Sequence, residues 1–202
     1  MGVMPRFSRE SMVTSLTKLA LLLPLRDTTI DLAVYGSACL VLATTLRGFV
    51  STIDAVAVEG QSLIDEAAGE LARKHGWPSD WLNDHMRIHL NRKVEAPSHH
   101  MLLLQLPPSP EHRLRVFVPD WDYLLSLEVS GLALDQPINR ERRIELKHLM
   151  RVVGVRTATD LDDLLSRYNS GPCEKRRMAA LAHSVWWQCA TTIREHRANR
   201  VS

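Results

Sequence analysis

Cysteine is scarce in this chain: Cys39, Cys173 and Cys189 are the only three among 202 residues. Odd in number, widely spaced and outside any CxxC pair, they suit neither a disulfide framework nor a zinc knuckle, and such usage fits a reducing cytoplasm. An excess of one charge is also missing. The formal net charge of +2 argues against a strongly electrostatic nucleic-acid binder. No apolar run reaches the ~20 residues that cross a bilayer, and the early one, Leu19 to Leu25, is interrupted by Pro24. Arg26-Asp27-Thr28 follows it where a signal peptide would need small residues, so a soluble, unprocessed, cytoplasmic chain is expected. There is no internal repeat, P-loop, GxGxxG turn, Gly-x-Ser-x-Gly elbow or HExxH frame, which removes the mechanisms those motifs serve.

What is present is the composition of a globular protein, with 45% hydrophobic and 24% charged residues. The length suits one domain, or a domain with a helical extension, with a substantial core. Charge is biased only locally: Glu174 to Ser202 holds six Lys/Arg against two acids. That run reads as a solvated helix face, with RNA, DNA or an acidic partner as the alternative.

Hydrophobic spacing predicts a helix over 9–23, a strand over 30–35, a helix from Ser37 to Leu46 closed by Arg47-Gly48, and a strand over 53–58. A helix over 61–75 stops at Gly76, and another is expected from Ser79, a suitable N-cap. Met101 to Leu106 and Leu114 to Val118 read as paired strands around Pro107-Pro108-Ser109-Pro110. Helices are then expected over 121–134, 140–153, 158–168 and 175–197. The fold class is α+β, a small mixed sheet flanked by helices with a helical C-terminal half, divided into a core over 1–126 and a helical region over 127–202.

Within that frame Gly36-Ser37 falls between a strand and a helix. Glycine lets the backbone approach a phosphate, and Ser37 is placed to cap a helix whose first amides attract anions. Asp54 lies on the next strand, where a carboxylate can hold a divalent cation against that phosphate. The bland alternative for Asp54 is a solvent-facing strand carboxylate.

These residues belong to an ordered series: Gly36-Ser37, Arg47, Ile53-Asp54-Ala55-Val56, Gly76-Trp77-Pro78-Ser79-Asp80-Trp81-Leu82-Asn83, Leu114-Arg115-Val116, Tyr123-Leu124-Leu125 and Val153-Gly154-Val155-Arg156-Thr157. From Val34 to Tyr168 the series resembles the AbiEii-like branch of the DNA polymerase β-type nucleotidyltransferases, a family that includes toxins of bacterial toxin–antitoxin pairs. The resemblance implies transfer of a nucleotide from a nucleoside triphosphate to a tRNA, protein or other hydroxyl acceptor. It implies Mg2+ on an Asp-x-Asp pair, Gly36 and Ser37 at the phosphates, Arg47 neutralising charge, and an antitoxin or a second copy as partner.

The chain departs from that pattern at the metal. If Asp54 matches the second carboxylate, Thr52 stands at the first; if it matches the first, Val56 stands at the second. Glu128 follows Leu127 where the family has lysine, and an acidic pair is reduced to Ile144-Glu145. Asp120 or Asp122 could supply a second acid, although both also suit the start of the helix near Trp121. Two functions therefore compete: a working nucleotidyltransferase, and a catalytically inactive relative that binds a nucleotide, nucleic acid or protein. Among other groups, His85 and His89 are four apart on the expected helix but lack the companions of a zinc site. His99-His100 is expected to be exposed in a polar loop. Of Trp186-Trp187, one ring is expected inside and the other at a surface or interface.

Overall fold

The computed structural model describes residues 5–24, 29–90, 99–132, 134, 136–168 and 172–198. Among these, seven α-helices and a mixed five-stranded sheet make an α+β protein, as expected. The chain divides after Asp120 into two compact units, so the helix beginning at Trp121 belongs wholly to the second.

The first unit opens with α1 (Arg9–Leu22), capped by the Ser8 hydroxyl, which accepts from the Ser11 amide. Then follow β1 (Ile30–Val34), α2 (Gly36–Ala43), β2 (Ile53–Ala57), α3 (Gln61–His75), β3 (Leu82–Asn83), a 3-10 helix (His85–His89), β4 (His100–Leu106) and β5 (Leu114–Pro119). The sheet order is β3-β2-β1-β5-β4. β1 runs antiparallel to β2 and parallel to β5, and β3 is parallel to β2. The core is closed by the apolar stripes of α1 (Met12, Leu16, Leu19) and α3 (Ile64, Ala68, Leu71), packed with Leu32, Val34, Ile53, Leu114 and Val116 of the strands.

In this unit two expected helices are corrected. α2 stops at Ala43, short of Leu46, because Thr44 is extended, returns both its amide and its hydroxyl to the Leu40 carbonyl, and accepts from the Leu46 amide. No α-helix begins at Ser79. Trp81 is fully buried, donates its Nε1–H to the Ala68 carbonyl at 3.0 Å, and meets Phe7 and Trp77 at ring separations of 5.5 and 5.0 Å. That anchor lays Leu82-Asn83 beside Ile53-Asp54 as a strand.

The second unit comprises α4 (Trp121–Ser130), α5 (Arg140–Val153), α6 (Ala158–Tyr168) and α7 (Pro172–Ala198). α4 ends at Ser130, not Leu134, where Gly131 follows and Arg177 of α7 donates to the Ser130 and Leu132 carbonyls. Asn139 caps α5 and Gly154 closes it in the left-handed conformation. Glu128 is buried and paired with Arg142, which also reaches Glu145 at 3.7 Å. Trp186 is half-buried, while Trp187 stands 61% exposed.

Candidate functional site

One end of the sheet brings Gly36 and Asp54 together. β1 ends there, β2 begins there antiparallel to it, and the Tyr35 amide donates to the Asp54 carbonyl at 2.8 Å. Gly36 therefore faces Asp54: a Cβ built on Gly36 would lie 3.7 Å from Asp54 Oδ2. Gly36 has φ +58°, a conformation that costs an L side chain roughly 1–2 kcal/mol. The glycine is thus required by the turn, and it leaves the carboxylate close to the backbone.

The cap of α2 is Tyr35, not Ser37, which lies inside the first turn. Tyr35 makes no side-chain cap hydrogen bond, so no cap side chain satisfies the first-turn amides that an α-helix leaves without intrahelical partners. Instead the Tyr35 hydroxyl pairs with His100 Nε2 at 2.9 Å, the two rings meeting edge to face. This corrects the reading of His100 as exposed: it opens β4 opposite Pro119 and is half-buried. Burial, aided by the neighbouring His99, pulls its pKa down to about 4, so the ring is neutral at pH 7.

Asp54 is half-buried, and desolvation raises its pKa, opposed by the His85 ring and a hydrogen bond from the Asn83 side chain. Asn83 is its register partner on β3 and also accepts from the His85 amide at 3.2 Å. His85 and His89 lie on a 3-10 helix, where ~3 residues per turn set positions four apart roughly 120° from each other. Thr52 is half-buried just before β2. Arg47 lies in the irregular connection between α2 and β2, past the far end of a helix that rises about 12 Å from Gly36.

Asp120 closes β5, its amide donating to the His99 carbonyl at 2.9 Å, and the β1–β5 register carries it to the same end of the sheet as Gly36. Asp122 sits in the first turn of α4 in the second unit, 3.5 Å from Arg167 Nη1.

Compared with known proteins, the chain matches no family model, no curated protein and no solved structure.

The donor set is poor for magnesium. Among the described residues no three of His, Cys, Asp and Glu group to hold a metal ion. Asp54 has a carboxamide and an imidazole for neighbours, whereas Mg2+ favours carboxylate and phosphate oxygens. These residues do not make a magnesium site by themselves. Sequence reasoning missed Asn83, Tyr35 and His100 as companions of Asp54 and Gly36; the only local signal was the Trp81 anchor ahead of Asn83.

Proposed function

We propose that this chain is a nucleotidyltransferase-type protein that binds a nucleoside triphosphate where Gly36 faces Asp54. The observation that carries this reading is that apposition: a glycine held at positive φ in the first position of a helix, where an added Cβ would lie 3.7 Å from a half-buried carboxylate. The helix end suits a phosphate. The reaction of this reading is transfer of a nucleotide to a hydroxyl on a tRNA, a protein or another acceptor, as in the toxin of a toxin–antitoxin pair.

A second reading, binding without transfer, is favoured by Asn83. The position beside Asp54 in register is a carboxamide, so a phosphate at α2 would meet one carboxylate whose charge burial already disfavours. The readings differ in what Asp54→Ala does. Labelled triphosphates with Mg2+ or Mn2+ and mixed tRNA give label transfer that Asp54→Ala abolishes under the first. Under the second there is no transfer, and calorimetry shows triphosphate binding kept or tightened in Asp54→Ala, because removing a carboxylate relieves repulsion. Absence of triphosphate binding to the native chain under any condition overturns both.

A further inference from the structure

The second unit carries a charged surface that the nucleotide site does not use. At ~100° per residue, Arg140, Lys147 and Arg151 fall within roughly 40° of one another around α5, with Arg143 on their flank, and the stripe runs about 16 Å along the axis. Arg140 and Arg151 are exposed; Arg143 and Lys147 are half-buried. Among the described residues none of the four enters an ion pair. The acids that could neutralise them are spent elsewhere: Glu145 of the same helix and Glu128 of α4 are buried and both face Arg142. Glu141, the other acid of α5, stands roughly 80° around the helix from Arg151. Arg143 and Lys147 also lie near enough to Cys189 of α7 for their charges to act on its thiol, so the stripe borders the α5–α7 seam.

We propose that this stripe docks the phosphate backbone of a nucleic-acid strand, recognising charge and not base sequence. A row of cations along a helix matches a linear polyanion. α5 carries no Phe, Tyr or Trp on which a base could stack, and its His148 is half-buried, so the stripe reads backbone charge and not bases. A membrane surface fits poorly. Leu146, Leu149 and Met150 of α5 are buried, leaving Ile144 and Val152 as its exposed large apolar residues, too few to insert into a bilayer interface. This docking is independent of the triphosphate reading and is measured without any triphosphate.

The test is fluorescence anisotropy of the full chain with labelled single-stranded RNA, and with DNA of the same sequence, between about 50 and about 200 mM salt. Both strands bind, with log affinity falling against log salt at a slope of about −2 to −3, from ~0.7 per neutralised phosphate. Arg140→Gln/Lys147→Gln/Arg151→Gln weakens binding about tenfold or more and flattens the slope by about 2. Arg140→Lys/Arg151→Lys, which keeps the charge, retains it. Circular dichroism of both variants shows an unchanged fold. The proposal is overturned if neither strand binds at low salt, if the glutamine variant binds as the native chain does, or if polyglutamate displaces the strand as readily as unlabelled RNA. Self-association in place of strand binding, abolished by the same substitutions, likewise overturns it and assigns the stripe to a second copy.

Discussion

Asp31 and Asp54 sit at opposite ends of the neighbouring strands β1 and β2, and their surroundings are opposite too. Asp31 receives a two-pronged grip from Arg115, Nε at 2.6 Å and Nη2 at 2.8 Å, across the β1–β5 pairing. The hydrogen bond to Asp31 raises the guanidinium pKa above its ordinary value. Asp31 also lines a cavity of about 280 Å3, together with Thr29, Ile30, Val58, Glu59, Gly60 and Leu63. Asp54 has a glycine, an asparagine and a histidine for company, and burial works against its charge. A carboxylate matched to a guanidinium serves the fold; one kept in an unfavourable setting beside a strained-type turn is where ligand chemistry is sought.

The change that should break this contrast most severely is Trp81→Ala, because the fully buried ring anchors Asn83 beside Asp54. A loss of about 3–5 kcal/mol in urea unfolding is expected. Gly36→Ala comes next, at about 1–2 kcal/mol, from the positive φ and not from collision, since the added methyl has ordinary space at 3.7 Å. Arg115→Met removes a partner that is 40% exposed, so a loss of up to about 1 kcal/mol is expected.

Asp54→Asn should reverse the sign. A carboxyl whose folded pKa is raised favours the folded state only while protonated, at acidic pH. Above both its folded and unfolded values its charge costs stability, so the amide leaves the urea midpoint at pH 7 unchanged or slightly higher. His100 supplies the last refinement. In the unfolded chain its ring takes a proton near pH 6.5, but in the folded chain not until about 4. Between those values protons favour the unfolded chain, so the melting temperature falls as pH drops through that window, and His100→Gln lessens the fall.

The helices α3, α5 and α6 were legible from the sequence to their ends, because each carries an apolar stripe and a local stop or cap: Gly76, Asn139 with Gly154, and Asp160 accepting from the Arg156 and Thr157 amides. The strands β1, β2, β4 and β5 were legible within a residue or so from their apolar, β-branched runs. The failures are of another kind. β3 is two residues long and exists because β2 pairs with it. α2 ends early through a threonine that competes for the Leu40 carbonyl. His100 looked like part of a polar loop because Tyr35, 65 positions away, makes it otherwise.

For the candidate site the same boundary holds. The sequence by itself determined that a glycine turn and one aspartate flank α2, since strand, turn and helix are written in short-range pattern. It also determined that the position two before that aspartate is Thr52 and the position two after it is Val56. Only the tertiary structure decided that Gly36 faces Asp54, that Asn83 stands beside it, and that Asp122 belongs to another unit while Asp120 reaches the same end of the sheet. Those relations are made by strand register and by the packing of Trp81, interactions between residues far apart in the chain that no local periodicity encodes.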